Sequence, residues 1–490
     1  MVTTMNKKPD LAAELSSLAK NNIPSETSLL EFSRYAMRRY GLVTVEDRSL
    51  PDYRDGLKPV QRRLLWAAHK LGLHSDAKRK KLAYLVGETL GKYHPHGDSS
   101  LASATVTMNN SAAPYISGEG NWGGGVANDS PAAMRYIECR LSALADAIYF
   151  DPEYTAVIEY LENYDGSLKE PLLLPAKLPA ILLNGTSGVA VGITSEIPSY
   201  TEKSLRAAVK LTLKQGKQIS PAQAVRVLEF NTPLGGECVS DDDSLLEFYK
   251  NSFGSVQYDS LFTYDEVSRI MLFDKFAPGL NLDSVLDFLN GRSARPPEWV
   301  KSIEDARETS SKSAPNTVSV RIKKSVPLKN IDDLINKIAD KFATKAHYKI
   351  NVIERYLNEE GANEAVPKSF SVPGLIKSWC DWRAELELKV IQHKINTINE
   401  KLHRLEVMIL AGNNPEILKN GWGSKDLTSY LIKALKISAE DAEIIRKLRY
   451  EQLHRLDVHK MKAECAELKL TLTNLESDKA DPVSSILKSL

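Results

Sequence analysis

The sequence has few cysteines and no long apolar run. Its four cysteines, Cys139, Cys238, Cys380 and Cys465, are scattered along 490 residues, which argues against both a disulfide framework and a zinc ribbon. No stretch approaches the roughly 18 apolar residues of a membrane helix, and residues 1–26 lack the apolar core of a signal peptide. We therefore expect a soluble protein of the cytoplasm that does not associate with a membrane.

The sequence also lacks a large excess of charge of either sign, because 64 Lys and Arg stand against 63 Asp and Glu. The distribution is nevertheless uneven, since residues 31–100 carry 14 Lys and Arg against 8 Asp and Glu. A local basic field suits contacts to phosphate groups, although a solvated surface has the same composition. Hydrophobic residues at 42% and charged residues at 26% are ordinary for a folded globular protein and argue against wholesale disorder.

The length suggests about three domains, and the texture of the sequence changes along the chain. Residues 1–27 form a polar N-terminal arm. Residues 28–164 show short helical patterns broken by Gly and Pro, which are compatible with a helix-turn-helix or winged-helix DNA reader. Residues 165–370 show apolar runs split by turn residues, which predicts a mixed α/β domain with residues 291–316 as an exposed excursion.

Residues 371–490 have the most regular pattern. Two series of apolar residues follow alternating spacings of three and four, as in the seam of a coiled coil. They are Leu388, Ile391, Ile395, Ile398, Leu402, Leu405 and Ile409, and then Val458, Met461, Cys465, Leu468, Leu472 and Leu475. We predict one antiparallel coiled coil with a helical knob at about 411–457, and a pair of ordinary core helices is the alternative. The fold class is then a multidomain α+β protein.

Arg135 and Tyr136 place a phenol beside a fixed positive charge. A phenol with a pKa near 10 is ionised in about one molecule per thousand at neutral pH, which costs roughly 4 kcal/mol before any attack. A guanidinium stabilises both a phenolate and the charge on a phosphate under attack. A tyrosine linked to DNA through a phosphate conserves the energy of the broken bond. Because a single Arg-Tyr pair is far more often structural than catalytic, this interpretation depends on further motifs.

Two further motifs suit phosphate or DNA contacts. In residues 92–99, His94 and His96 flank a proline just before a helix start, where imidazoles and backbone amides can surround one phosphate. Too few other ligands lie nearby for a zinc site. In residues 184–192, glycines permit a tight turn that presents Val189 as an apolar wedge between base pairs, although an ordinary buried turn has the same pattern.

Together these motifs resemble the A-type subunit of type IIA DNA topoisomerases, as in bacterial gyrase, topoisomerase IV and the T-even-type bacteriophage enzymes. The resemblance is most specific over residues 30–200. It implies that Tyr136, assisted by Arg135, forms a transient 5′-phosphotyrosyl link in a double-strand break through which a second duplex passes. It also implies DNA contacts by Arg48, Lys58, Arg62, Arg63, Lys92, His94, His96, Ser99 and Val189. One departure is Gln61, which stands where the family commonly has a histidine.

The same resemblance implies an architecture and partners. Residues 28–164 would be the winged-helix domain, residues 165–370 the tower domain, and residues 371–490 a coiled coil with a dimer-forming exit gate. The sequence has no ATP-binding signature, and residues 241–243 look like a solvated acidic loop rather than a metal motif. We therefore expect no metal on this chain, with Mg²⁺ and ATP on a separate B-type subunit that carries the ATPase and toprim parts.

The expected assembly is a heterotetramer on double-stranded DNA, in which two copies of this chain meet through the exit gate and the winged-helix domains. Because the sequence ends at Leu490, we expect no wrapping β-domain and a bacteriophage medium subunit, working in the host cytoplasm. The alternative function is a noncatalytic, dimeric DNA-bending protein. A tyrosine recombinase fits less well, because its Arg and His residues precede a C-terminal tyrosine.

Overall fold

The computed structural model describes residues 28–311, 316–421, 423–424, 426–447 and 458–490. The chain divides into two compact units, Met1–Trp382 and Arg383–Leu490. The N-terminal arm predicted for residues 1–27 lies outside the described residues. The predicted boundaries at residues 164 and 370 stay predictions.

Helices and strands alternate irregularly along the first unit. Its described helices α1 to α12 are Leu29–Thr44, Pro59–Lys70, Leu82–Lys92, Asp98–Asn109, Ala143–Tyr149, Pro152–Thr155, Ala180–Asn184, Glu202–Gln215, Pro221–Val227, Asp242–Lys250, Leu282–Leu289 and Ile331–Ala339. A π-helical turn, Val45–Ser49, follows α1, and 3-10 turns occupy Glu298–Ser302 and Leu328–Asn330. The strands β1 to β16 are Lys80–Lys81, Ile116–Glu119, Glu138–Leu141, Tyr160–Glu162, Lys169–Pro171, Thr186–Ala190, Ile193–Ile197, Glu237–Cys238, Phe253–Asp259, Leu261–Asp265, Ile270–Lys275, Ile303–Glu308, Val318–Ile322, Thr344–Lys349, Asn351–Leu357 and Asn363–Ser369.

Helices α2, α3 and α4 pack on one another beside a small sheet of order β1-β3-β2. Pro59 starts α2, where its missing N–H costs nothing. The Lys58 N–H donates to Oε1 of Gln61 at 3.0 Å and forms part of a capping box. Gln61, the residue that departs from the family pattern, therefore helps to start this helix.

The remaining sheets of the first unit are antiparallel. One has the order β6-β7-β14-β9-β8 and another the order β10-β11-β13-β12, while β15 pairs with β16 and β4 with β5. Each ladder between these described strands runs antiparallel. Residues 165–370, expected to mix helices and strands, contain both, and hairpins such as β6-β7 connect neighbouring antiparallel strands.

The core of the four-stranded sheet includes part of the segment that was predicted to be an exposed excursion, residues 291–316. Phe273 and Phe342 are fully buried and stack with ring centroids 3.9 Å apart. Burying such a ring contributes roughly 1.5–3 kcal/mol relative to exposure. Val300 and Ala306 are buried as well, and Ala306 joins this core from strand β12. The excursion predicted for residues 291–316 is therefore in part a strand of the sheet, within the part of it that the structure describes.

The second unit is built on two long helices, α13 (Val372–Asn413), which begins in the first unit, and α17 (Val458–Ala480). Leu402, Leu405, Met461 and Cys465 form a shared core along both helices. Lys479 donates to Gln392 at 2.7 Å and Lys469 to Glu406 at 2.9 Å, so residue numbers rise along one helix as they fall along the other. The predicted antiparallel pair is confirmed, except that Leu388 is 36% exposed and Val390 is buried in its place.

Shorter helices complete the second unit. They are α14 (Pro415–Gly421), α15 (Leu427–Leu435), α16 (Ala439–Arg446) and α18 (Pro482–Ser489). Val407, Ala411 and Leu431 belong to one buried cluster that links the end of α13 to this group. The knob predicted at about 411–457 is helical where it is described, and its residues 422, 425 and 448–457 lie outside the described part.

These elements confirm a multidomain α+β protein with a long helix pair. Among the described helices, every one is too short or too polar to cross a membrane.

Candidate functional site

Tyr136 lies exposed on a short segment held from both sides. Its side chain is 64% exposed, whereas the next residue, Ile137, is 1% exposed. The Tyr136 N–H donates to the Ala133 carbonyl at 2.8 Å, and Lys81 Nζ donates to the Tyr136 carbonyl at 3.3 Å. The backbone is therefore fixed while the phenol faces solvent, as a nucleophile for a large substrate requires.

Arg135 is the nearest charge to the phenol. Its Cζ lies 4.7 Å from the centroid of the Tyr136 ring, which is within the range of a cation–π interaction. This contact keeps the guanidinium beside the ring without using its N–H groups, so these can donate to a phosphate. That these two residues act together stays a prediction.

A basic run that we did not single out in the sequence lies beside this segment. Strand β1, Lys80–Lys81, pairs with the start of β3, so that Lys81 is opposite Glu138. Their side chains form an ion pair of 2.8 Å. Lys78 and Lys80 are exposed, and the run of four basic residues at 78–81 was the signal that could have identified this surface.

A second group lies at the other end of α3 and is mostly buried. Arg63 donates through Nε and Nη2 to the two carboxylate oxygens of Glu170, at 2.8 and 2.7 Å. Its Nη1 lies 3.1 Å from Nδ1 of His94. Because a guanidinium only donates, Nδ1 accepts and the imidazole proton is on Nε2. We call Arg63, His94 and Glu170 the buried cluster.

Burial, and second the charge of Arg63, lowers the pKa of His94 to about 4. This imidazole is therefore neutral at pH 7 and can donate one hydrogen bond from Nε2. The His96 ring stacks on it with centroids 4.4 Å apart and is exposed. Of the two histidines, His96 is therefore the one whose ring is exposed to solvent.

The residues around the histidines are positioned by a distant turn. Asn163 Nδ2 donates to the Lys92 carbonyl at 2.7 Å, and Tyr164 Oη donates to the Gly91 carbonyl at 2.8 Å. These bonds satisfy carbonyls at the C-terminal end of α3. Lys92 itself is exposed and pairs with Glu88, and Ser99 is exposed in the first turn of α4.

Arg62 is not placed for the DNA contact expected from the resemblance. It is 5% exposed, and its Nε and Nη2 donate to the Asp55 carboxylate at 2.6 and 3.0 Å. Asp55 is 0% exposed, and a buried carboxylate requires a close counter-charge. In this structure Arg62 supplies that charge, so we correct its role from DNA contact to support of α2.

A third group surrounds the hairpin β6-β7. Val189 is 73% exposed, and its carbonyl accepts from Ser49 Oγ at 2.8 Å. A Cβ on Gly188 would lie 2.2 Å from the Ser49 carbonyl oxygen, so only glycine permits this approach. The exposed Arg48 precedes Ser49 in the π-helical turn, which brings it close to the hairpin.

Lys58 approaches the same hairpin from α2. Its Nζ donates to the Ser187 carbonyl at 2.5 Å. Burial lowers the pKa of Lys58, and the Glu196 carboxylate opposes that change. Arg48, Lys58 and Val189 thus belong to one surface, with Val189 at its most exposed point.

The structure does not bring all of these residues into one site. The Leu82 N–H donates to the Ile137 carbonyl at 3.0 Å, so α3 begins at the Tyr136 segment. His94 follows the last residue of α3, Lys92. An 11-residue helix is about 16 Å long. Tyr136 and the buried cluster therefore lie at opposite ends of α3.

The chain is similar to known proteins along most of its length. A family model describing the A subunit of DNA gyrase/topoisomerase IV matches residues 48–489. The chain is 31% identical over 462 residues to the DNA topoisomerase 4 A subunit of Haemophilus influenzae, covering 92% of the chain and 59% of that relative. It is 29% identical to the same subunit of Escherichia coli K12, covering 91% of the chain and 58% of the relative.

A plant protein is similar as well. The chain is 28% identical over 463 residues to the chloroplastic/mitochondrial DNA gyrase A subunit of Arabidopsis thaliana, covering 89% of the chain and 46% of that relative. The chain thus spans only about six tenths of the length of the two bacterial relatives.

Proposed function

The chain belongs to the A-subunit family of DNA gyrase and topoisomerase IV, and on that premise we propose that it is the DNA breakage-reunion subunit of a type IIA topoisomerase. Its substrate would be double-stranded DNA, which it relaxes or decatenates by passing one duplex through a break in another. The observation that carries the proposal is the exposed phenol of Tyr136 with the Arg135 guanidinium 4.7 Å from its ring.

The proposed reaction is a reversible phosphoryl transfer. Tyr136 Oη attacks the phosphorus of a backbone phosphodiester, and the bond from phosphorus to the 3′ oxygen breaks as the new phosphotyrosyl bond forms. The phenolic proton leaves Tyr136, and the 3′ oxygen takes up a proton and becomes a hydroxyl. Arg135 stabilises the negative charge on the phosphate oxygens during the transfer. Reversal reseals the strand because the phosphotyrosyl bond keeps the energy of the original one.

A second copy of the chain would complete each site. With about 16 Å of helix between Tyr136 and the buried cluster, the histidines of one chain are poorly placed to act on its own phosphotyrosine. In a dimer, His96 and Arg63 of one copy can face Tyr136 of the other. We propose that this is why the family's expected homodimer, through winged-helix domains and a coiled-coil exit gate, is needed for cleavage.

The DNA contacts follow from exposure and charge. Arg48, Lys92, His96 and Ser99 are exposed and lie on elements that flank the proposed cleavage surface, so they serve as backbone contacts. Val189, at the tip of its hairpin, would insert between base pairs and bend the duplex. Residues 28–164 would then act as the winged-helix domain and residues 165–370 as the tower domain.

We place Mg²⁺ and ATP on a B-type partner subunit. Among the described residues, no group of three or more His, Cys, Asp or Glu side chains comes together as a metal site. Asp241, expected in a loop, instead caps helix α10 by accepting from the Ser244 N–H at 2.7 Å. No step of the reaction is therefore assigned to a metal held by this chain. The bacteriophage origin stays a prediction, and the relatives named above are bacterial or from a plant.

The test combines the chain with a B-type subunit of the family, supercoiled DNA, Mg²⁺ and ATP, and then stops the reaction with detergent. The wild-type chain is expected to remain attached to 5′ ends, and Tyr136→Phe is expected to leave none attached. Tyr40→Phe is a matched control, because Tyr40 is also an exposed tyrosine, at 60% against 64% for Tyr136. If Tyr136→Phe still forms the adduct, the catalytic assignment is wrong. DNA bending without any adduct from the wild type would support the noncatalytic alternative.

A further inference from the structure

Arg355 is a buried guanidinium whose hydrogen bonds are incomplete. It lies on β15 and is 3% exposed. Its Nε and Nη2 are buried and have no hydrogen-bond partner among the described residues. Leaving such donors unpaired inside a protein costs about 1–3 kcal/mol, and more for a charged group. An unsatisfied buried guanidinium thus calls for a ligand.

The carboxylate that pairs with the Arg355 guanidinium does not satisfy its hydrogen bonds. Asp47 Oδ1 lies 3.6 Å from Nη1, and the Asp47 side chain is 64% exposed. That distance is too long for a hydrogen bond, so Asp47 leaves the N–H groups of this guanidinium without an acceptor. The Asp52 carboxylate is used elsewhere, since it accepts from the Arg355 N–H at 2.8 Å and pairs with Arg54.

Arg355 is one of the residues that line a small cavity. Its volume is about 40 Å³, and it is lined by Arg355, Arg62, Arg63, Asp47, Glu170 and Pro59 among others. At roughly 10–15 Å³ for each water molecule, the cavity has room for about three waters. That volume is also enough for one small oxyanion. The carboxylates of Asp47 and Glu170 also line the cavity, and Glu170 is already paired with Arg63.

The local charges favour an anion in this cavity. Burial, and second the charge of Arg62, lowers the pKa of Arg355, which shows that a positive charge there is poorly compensated. A guanidinium nevertheless stays protonated in proteins, and its planar fork matches two oxygens of a phosphate group. An oxyanion in the cavity would supply negative charge beside the guanidinium groups of Arg355 and Arg62, both of which line it.

We propose that this cavity binds one phosphate group, with Arg355 as its main ligand and Arg63 at its edge. The site is separate from Tyr136 and does not depend on the proposed cleavage reaction. Inorganic phosphate fits the enclosed donors better than a backbone phosphodiester, whose two ester groups would have to enter a cavity of about 40 Å³. A bound phosphate would tie β15 to α2 and to the turn that carries Asp47 and Arg48.

The experiment measures the Tm of the full chain as phosphate replaces chloride at constant ionic strength and pH 7. The wild type is expected to show a saturable rise of several degrees, as for any ligand that binds only the folded state. Arg355→Met should lose the saturable part. Asp47→Asn removes a competing carboxylate at the surface, so its half-maximal rise should occur at a several-fold lower phosphate concentration.

Phosphate also stabilises proteins in a general, non-saturating way, so Arg140→Met provides the matched control. Arg140 also has a buried Nε without a hydrogen-bond partner among the described residues but does not line the cavity, and its variant should keep the saturable rise. If Arg355→Met does not fold, line broadening of the ³¹P NMR signal of phosphate by wild type and Asp47→Asn decides the question.

A linear rise of equal slope in the wild type and in both Arg355→Met and Asp47→Asn would overturn the proposal. A further titration adds a short duplex of DNA. If the duplex abolishes the phosphate-dependent rise, the site takes its phosphate group from the DNA backbone. If the rise persists beside bound duplex, the free anion is the ligand.

Discussion

The two ends of helix α3 differ in almost every physical respect. At its N-terminal end, Tyr136 is 64% exposed and is contacted by Arg135 through a cation–π interaction alone. At its C-terminal end, Arg63 is locked to Glu170 by two charge-assisted hydrogen bonds and to His94 by a third. At one end an exposed side chain stands on a fixed backbone segment, and at the other end the side chains themselves are fixed by hydrogen bonds.

This difference suggests that the two ends of α3 have different roles in the proposed function. A tyrosine that links covalently to DNA has to meet a large substrate, so its phenol has to be exposed. Groups that orient a phosphate act best when they are already fixed, because no reorganisation is then needed during the reaction. The buried cluster is assembled by folding, whereas in the proposed function DNA and a second chain would complete the surroundings of Tyr136.

The largest expected effect is on the free energy of unfolding, and it tests whether the ion pair of Arg62 with Asp55 is structural. Arg62→Ala removes the counter-charge of Asp55, which is fully buried, and breaking a buried pair in this way costs about 3–5 kcal/mol. The free energy of unfolding, measured by urea titration, should fall by that amount. Arg135→Ala is the control at the exposed end and should change it by less than about 0.5 kcal/mol. Equal losses in the two variants would abolish the contrast between the ends.

The next largest effect is on the rate of covalent adduct formation, and it comes from a change at the exposed end of α3. Arg135→Ala should reduce the rate of covalent adduct formation about 10²-fold, the size of effect seen when one donor to a developing oxyanion is removed. Arg135→Lys keeps a positive charge without the planar fork and should recover part of the rate. Single-turnover cleavage assays with the B-type subunit measure both. If Arg135→Ala cleaves at the wild-type rate, Arg135 is only a neighbour of Tyr136.

The smallest effect is a pH dependence of stability from the buried end. Because the pKa of folded His94 is about 4, below the usual value near 6.5, the unfolded chain binds more protons between these two values. The free energy of unfolding should therefore fall as pH decreases through that window, by up to about 1.4 kcal/mol per pH unit for each such group. His69 adds to the same trend, since burial and second the charge of His74 lower its pKa to about 4.

Urea titrations at pH 7, 6, 5 and 4.5 measure this slope. His94→Phe should reduce it by about one proton, and His94→Phe with His69→Phe by about two. A slope that is the same in all three proteins would mean that both imidazoles are protonated in the folded state.

Local patterns predict the parts of this structure that depend on neighbouring residues. The helix starts at Pro59 and Asp98 and the seam through Leu402 and Cys465 follow from short-range rules of capping and periodicity. These features could therefore be predicted without knowing what packs against them.

Features that depend on distant residues could not be predicted in this way. Glu170 lies 107 residues after Arg63, and Arg355 lies about 300 residues after the turn that faces it. Arg62 looks like Arg63 in the sequence, yet the burial of Asp55 gives it a structural role. The separation of Tyr136 from His94 required the direction of α3, which the resemblance to a family did not supply.

The most direct test of the central claim uses mixed dimers with the B-type subunit and a plasmid substrate. In one dimer, one chain carries Tyr136→Phe and its partner carries His96→Ala; in the other, a single chain carries both changes and its partner is wild type. If Tyr136 works with the histidines of the second chain, the first dimer has one complete site and nicks one strand, and the second dimer has none. Nicking by the second dimer but not by the first would contradict the account.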